Sequence, residues 1–302
     1  MKIIKYLILV LIIININIGF SAAESFDDWL LSFKKKALQN NISEETFVRA
    51  MSKVKYLPKV IEYDRYQPEF YEDTITYISK RTSNKKLLKG LNLYKKNNFI
   101  IDEIEKKFSV EKELLLSLMG IETNFGTYVG KMDILSSLAT LSFDKRRSEF
   151  FTNELITILQ LVENNIIDYE VLYGSWAGAY GNFQFMPTSI KNYAIDYNNN
   201  TKIELRNIED SFASAANYMN KINWKLNGPC FFKVNLDKTI PQKFLNSSAK
   251  KIKNKKKLSF FKKYLINFDV SKVDENLTVG IITPDKDIIP NALNFEPAYI
   301  VF

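Results

Sequence analysis

Ser175-Trp176-Ala177-Gly178-Ala179-Tyr180-Gly181-Asn182-Phe183-Gln184-Phe185-Met186-Pro187-Thr188-Ser189 packs two glycines, four aromatics and several short polar side chains into fifteen positions. Upstream stands Gly120-Ile121-Glu122-Thr123-Asn124-Phe125-Gly126, whose carboxylate lies 53 residues before Ser175 (175 − 122). This shorter stretch ends an apolar run with one carboxylate and places a glycine four positions past it. A core has little use for so many polar groups, and a solvated loop has little use for so many aromatics. The pairing suits a close-walled groove for something flat and polar, such as a sugar.

Around these stretches the pattern is helical. Asp27 to Asn40 and Ser43 to Val54 read as short amphipathic helices behind polar N-caps. Tyr56 to Tyr71 carries Pro58, Pro68 and several aromatics and reads as an extended segment laid over the main body. Asp73 to Tyr94 and Ile100 to Phe108 return to helical spacing. Ser109 is placed to cap a helix from about Val110 to Glu122, with Glu111 and Glu113 in its first turn. Leu114, Leu115, Leu116, Leu118, Met119 and Ile121 make that helix apolar nearly all round, so it is expected to be a central buried helix ending at Glu122.

From Arg147 to Asn164, Phe151, Leu155, Ile158 and Val162 form a core-facing stripe. Pro187 starts a short helix to Tyr193, and Asp210 to Trp224 offers Ala213, Ala215 and Ala216 for close helix approach. After Gly228-Pro229 the texture changes: Phe231 to Leu236, Leu277 to Ile282 and Tyr299 to Phe302 are strand-like, and Lys250 to Lys263 is a basic run expected to be a solvated face. The expected class is mainly α (α+β), with a small β-containing C-terminal lobe.

Composition narrows the chemistry. The 302 residues include no histidine and a single cysteine, Cys230. Ser-His-Asp and Cys-His mechanisms and the common His/Cys zinc sites are excluded, and acid-base work falls to Asp, Glu, Tyr or Lys. Cys230 is expected to be an inert, partly buried thiol. Lys2 and Lys5, the apolar run from Tyr6 to Phe20 and Ser21-Ala22-Ala23 read as a secretory signal. Asn15 and Asn17 interrupt that run, which is short for a spanning helix of about 20 residues; an uncleaved anchor is the alternative. No cysteine stands near the cleavage point, so a lipid-anchored form is not expected. Cleavage after Ala23 leaves 279 residues (302 − 23), ample for one large core with a smaller lobe. The formal net charge of +8 favours an acidic envelope polymer or a membrane surface over nucleic acid in an exported protein, unless Lys and Asn simply dominate the composition.

A carboxyl at the end of a buried helix, beside Met119, Ile121 and Phe125, loses hydration. Desolvation raises its pKa, which lets it donate a proton to a glycosidic oxygen. Gly126 lets the backbone turn away beside it. Taken alone, the same Glu reads equally well as a helix-end cap or ion-pair partner.

The two stretches together strongly resemble the lytic murein transglycosylase B family. Its acid/base glutamate lies in a Gly-hydrophobic-Glu-Thr-x-aromatic-Gly motif, and its groove is lined by a segment that Ser175 to Ser189 matches at nearly every fixed position. Arg65-Tyr66-Gln67-Pro68-Glu69-Phe70, Leu135 to Phe151 with Arg146-Arg147-Ser148-Glu149-Phe150-Phe151, and Ala216-Asn217-Tyr218 extend the likeness over roughly residues 25 to 300.

The resemblance implies a lysozyme-like helical fold. It implies cleavage of the β-1,4 bond between N-acetylmuramic acid and N-acetylglucosamine of peptidoglycan, leaving 1,6-anhydromuramic acid ends. Glu122 would act first as acid and then as base, Ser175 and Gln184 would bind substrate in the groove, and Tyr218 and Tyr77 would hold the site. One carboxylate suffices because the sugar's own C6 hydroxyl is the nucleophile. Asp133, Asp144, Glu149 and Asp168 sit in no comparable setting. Trp176, Tyr180 and Phe183 are candidates for stacking on sugar faces or for the core.

Asp196 to Glu204 falls where some relatives carry an Asp-rich cation loop, but Thr201 replaces the turn glycine and Asn207 stands at the twelfth position. Its oxygen charge is too low to predict a calcium site, cation binding by the loop is left open, and no metal or cofactor is assigned. The expected layout is a signal peptide at 1–23, an N-terminal helical layer at 24–100, a lysozyme-like core at 101–228 and a mixed lobe at 229–302. That lobe stops at Glu296 to Phe302, before the family's last groove motif. The expected protein is periplasmic and monomeric, acts on glycan strands and binds no nucleic acid. A water-using muramidase and a truncated, non-catalytic peptidoglycan-binding protein are the competing readings.

Overall fold

A computed structural model describes residues 24–66, 72–269, 273–287 and 298–301. The expected signal segment, most of the Arg65 to Phe70 stretch and the Glu296-Pro297 pair lie outside the described residues. Among the described residues no helix is long and apolar enough to cross a membrane.

Helices α1 (Phe26–Gln39) and α2 (Glu44–Met51) start at Ser25 and Ser43, whose hydroxyls accept the N–H groups of Asp28 and Thr46, with acids in each first turn. Where an extended segment was expected, α3 (Pro58–Arg65) forms instead. Pro58 occupies its first turn, where a missing N–H costs nothing and the ring presets a helical φ. The backbone just before it is in no regular element, and the Lys55 and Leu57 N–H groups donate to Ser136 Oγ (3.2 Å) and Thr140 Oγ1 (3.0 Å).

Helix α4 (Thr74–Arg81) is capped by Asp73 and α5 (Asn84–Phe108) by Ser83, with a kink at Asn97 (φ −129°, ψ 18°). Ser109 does not start the next helix. It closes α5 in the left-handed conformation (φ 56°, ψ 48°), and Glu111 takes the N-cap position of α6 (Lys112–Thr123). The reason is tertiary: the Glu111 carboxylate accepts from Trp224 Nε1 and from the Asn227 N–H, both at 2.6 Å.

The most enclosed helix is α7 (Ile134–Phe143), not α6. Nine of its ten residues are buried, whereas on α6 the buried set is Leu115, Met119, Gly120 and Thr123 and Ile121 is 50% exposed. The leucines of α6 spread around the helix because one side meets the core and the other lines an open cavity. Helix α8 (Ser148–Glu163) buries Phe151, Leu155, Ile158 and Val162 as its periodicity requires. Helices α9 (Pro187–Tyr193) and α10 (Ile208–Lys221) follow.

One apolar cluster joins α1, α2, α7 and α8 with Tyr180, Ile190 and Leu205. A second joins Ile101 and Ile104 of α5, Leu115 and Met119 of α6, Phe183, and Phe212, Ala213, Ala215 and Ala216 of α10. The Ser175–Ser189 stretch therefore runs along the seam between them, contributing Tyr180 to one and Phe183 to the other.

A two-stranded ladder pairs β1 (Met132–Asp133) with β2 (Tyr173–Gly174). The C-terminal lobe has its own core of Val234, Phe244, Leu258, Phe261, Val279 and Ile281. Its strands are β3 (Phe231–Leu236), β4 (Leu245–Asn246), β5 (Lys256–Lys257), β6 (Leu265–Ile266), β7 (Thr278–Ile282) and β8 (Ala298–Val301), with the short helix α11 (Leu258–Phe261). The order is β4-β7-β8-β3-β6 with β5 beside β7; β4 pairs parallel with β7 and the other pairs are antiparallel. The basic run is solvated as expected. Cys230, the residue before β3, is exposed rather than partly buried; nearby protein and the charge of Glu111 push its thiol pKa up. The lobe is tied to α4 by Asp285, whose carboxylate accepts from the Thr74 N–H (2.8 Å) and hydroxyl (2.5 Å).

Candidate active site

Glu122 is the penultimate residue of α6, and the chain turns sharply beyond it. Asn124 (φ 50°), Phe125 (φ 58°) and Gly126 (φ 74°) are left-handed in succession. Only glycine adopts that region freely; the other two cost on the order of 1 kcal/mol each or more, so the surroundings must hold them. The Asn124 and Phe125 N–H groups donate to the Met119 carbonyl, and the Gly126 N–H donates to Thr123 Oγ1 (3.0 Å). From α5, Lys86 Nζ donates to the Gly120 carbonyl (3.3 Å) and Lys89 Nζ to the Asn124 carbonyl (2.7 Å). Cations at a helix C-terminus offset its dipole. The Phe125 ring lies in a slot between the two helices, where a Cβ at Gly90 of α5 or at Gly120 of α6 would come 2.8 Å from its Cζ.

The second stretch is bonded to the first. The β1–β2 ladder sets Met132 opposite Gly174, and the Ile134 N–H donates to the Leu172 carbonyl (3.0 Å). Thr123 Oγ1 donates to the Asn182 carbonyl (2.8 Å), and Gln184 Nε2 donates to the carbonyls of Gly181 (2.8 Å) and Val129 (3.2 Å). Asn182 is buried: its own N–H donates to the Leu205 carbonyl (2.7 Å), and its side-chain amide donates to the Arg206 carbonyl (3.0 Å) and Ser211 Oγ (3.1 Å). The far end is anchored by Glu154 of α8, 1% exposed, whose carboxylate accepts from the Thr188 N–H (2.8 Å) and hydroxyl (2.7 Å) at the start of α9.

The direction in which its surroundings move its pKa sets Glu122 apart. Its side chain stays reachable from solvent, as a proton donor to an incoming molecule must. The protein packed about it still thins its hydration and raises its pKa above the usual carboxylate value. It has no hydrogen-bond or ion-pair partner among the described residues, and the two α5 lysines that reach the end of its helix are engaged elsewhere, Lys86 with the Gly120 carbonyl and Lys89 with the Asn124 carbonyl and the Thr127 hydroxyl. Every other carboxylate with a resolved shift among the described residues moves down, held by a cation or by hydrogen bonds. Of the other acids that lie between the two stretches in the chain, Asp133 caps α7, Asp144 pairs with Arg65 (2.9 Å) and Asp168 with Lys202 (2.9 Å). Glu149 is exposed in the first turn of α8.

Ser175 and Gln184 lie in the linked stretch, and both already bond to the protein. Ser175 Oγ accepts the Ala179 N–H (3.0 Å), closing a tight loop, while Gln184 spends its amide hydrogens on two carbonyls. The Gln184 carbonyl oxygen and the Ser175 hydroxyl proton make no other bond among the described residues. Tyr218 joins through its ring, packed on Phe185 (5.9 Å) and edge-on to Tyr193 (4.8 Å). Tyr77 stands apart on α4, beneath the Arg81 guanidinium (3.6 Å), with no bond or ring contact to the two stretches among the described residues.

Two aromatic candidates belong to the core. Tyr180 (3% exposed) and Phe183 (8%) offer no open ring face, while Trp176 is half-buried against Tyr63. Thr123, Asn182, Lys86, Lys89 and Gly90 escaped the sequence reading. Thr123 and Asn182 at least stood out as polar groups inside apolar motifs, whereas nothing local marked the α5 residues.

In the Asp196–Glu204 loop, the oxygens serve the loop itself. Asp196 accepts the N–H groups of Asn200 (3.0 Å) and Thr201 (2.7 Å), and the Asn200 amide donates to Glu204 (2.6 Å). The described residues hold no cluster of three or more acidic or thiol ligands.

Residues 25–301 match the family described as the transglycosylase SLT domain. Over 118 residues, 39% of the chain, the sequence is 42% identical to the membrane-bound lytic murein transglycosylase B of Escherichia coli (strain K12), and the aligned stretch spans only 33% of that protein. The backbone overlays with TM-score 0.78 and 27% identity on SltB3 from Pseudomonas aeruginosa, in complex with NAG-NAM-pentapeptide and with NAG-anhNAM-pentapeptide, covering 92% of this chain and 72% of that one. A likeness of fold alone links it to the Escherichia coli lytic transglycosylase Slt35 in complex with calcium, at TM-score 0.73 and 24% identity over 94% of this chain and 85% of that one. The mainly helical, lysozyme-like α+β class is thereby shared.

Proposed function

The chain belongs to the transglycosylase SLT domain family, and on that footing we propose that it is a peptidoglycan lytic transglycosylase. Its substrate is the glycan strand, cut at the β-1,4 bond between N-acetylmuramic acid and N-acetylglucosamine. The protonated Glu122 carboxyl gives its hydrogen to the leaving glycosidic oxygen as the bond from that oxygen to C1 breaks. The muramic acid's C6 hydroxyl then closes on C1 and passes its proton to the Glu122 carboxylate. The product end is a 1,6-anhydro sugar, no water is consumed, and Glu122 ends as it began. The internal nucleophile has a very high effective concentration, so no second carboxylate is required.

Glu122 carries this reading. It is an unpaired carboxyl with a raised pKa on a braced turn, and it is the group such chemistry needs. The anhydro-sugar ligand of the SltB3 relative supports the choice of product. The Gln184 carbonyl, the Ser175 hydroxyl, Tyr218 and Tyr77 would hold the strand, in an exported protein acting in the periplasm. The test is digestion of purified peptidoglycan by the wild type and Glu122→Gln, with product masses. Anhydro ends, one water lighter than hydrolysed ends, are expected from the wild type and none from the variant. Hydrolysed ends, or undiminished cleavage by Glu122→Gln, would overturn the proposal.

A further inference from the structure

Residues 84–101 of α5 contain five lysines and no acid; the first acid is Asp102. The same stretch turns large apolar side chains outward. Leu87 and Leu88 are each 60% exposed, Leu91 45% and Phe99 81%. Two of the lysines, Lys86 and Lys89, are engaged with the end of α6, but Lys85, Lys95 and Lys96 form no ion pair or hydrogen bond among the described residues. Leu87 and Leu91 also line a cavity of about 330 Å³ between α5 and α6, with Leu116, Ile121 and Phe125. Its one acid is Glu113, which shares the lining with Arg81 and Lys86.

We propose that this face of α5 docks on an anionic phospholipid surface. The composition separates that partner from an anionic polymer. A polyanion in water would be held by the lysines alone and would leave three leucines and a phenylalanine in contact with solvent. A bilayer interface takes both groups, the apolar side chains entering the headgroup-acyl boundary while the ammonium groups stay with the phosphates. The kink at Asn97 divides the face, with the leucines before it and Phe99 after it. The contact proposed for this face is interfacial; no described helix is long and apolar enough to cross a membrane.

The test is co-sedimentation of residues 24–302, which hold every described element, with vesicles of mixed phosphatidylglycerol and phosphatidylcholine or of phosphatidylcholine alone. Binding to the anionic vesicles is expected, weakening as salt rises. Leu88→Ser with Phe99→Ser is expected to lower partitioning about tenfold or more. Lys85→Gln, Lys95→Gln and Lys96→Gln are expected to lower it about fivefold each. Both sets touch exposed side chains, and an unchanged thermal midpoint verifies folding. The proposal falls if the serine pair binds like the wild type, which would mark simple attraction of a basic chain. It also falls if Lys253→Gln, Lys255→Gln and Lys256→Gln in the lobe weaken binding equally, or if the α5 variants lose affinity for isolated wall polymer while keeping it for vesicles.

Discussion

Replacing Gly90 with alanine tests whether the slot between α5 and α6 positions Glu122. The added Cβ would lie 2.8 Å from Phe125 Cζ and 3.0 Å from Cε1, roughly 0.7 Å inside the ~3.5 Å at which carbons begin to rest. The ring has little room to retreat, because a Cβ at Gly120 on the opposite wall would be equally close and its backbone is already left-handed. Helix propensity favours alanine by about 1 kcal/mol, while overpacking costs about 1–3 kcal/mol, so a net loss near 1 kcal/mol is expected. The larger effect falls on turnover. A shift of several tenths of an ångström in the turn carries Glu122 with it, and errors approaching 1 Å cost up to about a hundredfold. Thermal unfolding and turnover of peptidoglycan are the assays, with kcat expected to drop tenfold or more and KM little changed. Adding Phe125→Leu should restore part of both losses by removing the clashing ring atoms. If Gly90→Ala instead stabilises the protein by the full helix-propensity gain and leaves kcat intact, the slot does not position the glutamate.

The remaining predictions follow from the same contacts. The raised pKa of Glu122 means that the folded protein bears a penalty above the ordinary value of 4.5, absent below it and complete once pH passes the folded value. Glu122→Gln should therefore unfold at a higher temperature than the wild type near neutral pH, with the gap closing in acid. The wild-type kcat/KM should fall on the alkaline side as Glu122 loses its proton, and a flat profile would count against it as the acid. Thr123→Val removes the donor to the Asn182 carbonyl and the acceptor of the Gly126 N–H, and should cost about 1–3 kcal/mol in denaturant unfolding together with most of the activity. Glu154→Ala strips the cap from Thr188 and should cost about 1–3 kcal/mol, with faster proteolysis at the start of α9.

What the chain settled by itself was local. Ser25, Ser43 and Asp73 start helices because a side-chain oxygen next to a helix's first N–H groups needs nothing beyond its own neighbours. The Phe151, Leu155, Ile158 and Val162 stripe is buried because helical spacing gathers those positions on one face. Glu122 stood out for the same kind of reason, as one carboxylate between an apolar run and a glycine. The errors came where distant atoms decided. Ser109 lost its cap role once Trp224 and Asn227 recruited Glu111, and α6 gave up its expected central place to α7, where the buried Ser136 and Thr140 hydroxyls accept the Lys55 and Leu57 N–H groups. The choice left open for Tyr180 and Phe183, sugar face or core, also fell to distant atoms: both face inward because their stretch forms the seam of two cores. Folding alone could bring Lys86, Lys89 and Gly90 to the end of the glutamate helix, some thirty residues later in the chain (120 − 86 = 34). Local rules foresee caps and stripes because the interacting atoms are chain neighbours; a braced turn and an unpaired carboxyl whose hydration is thinned on one side exist only once remote segments have packed beside them.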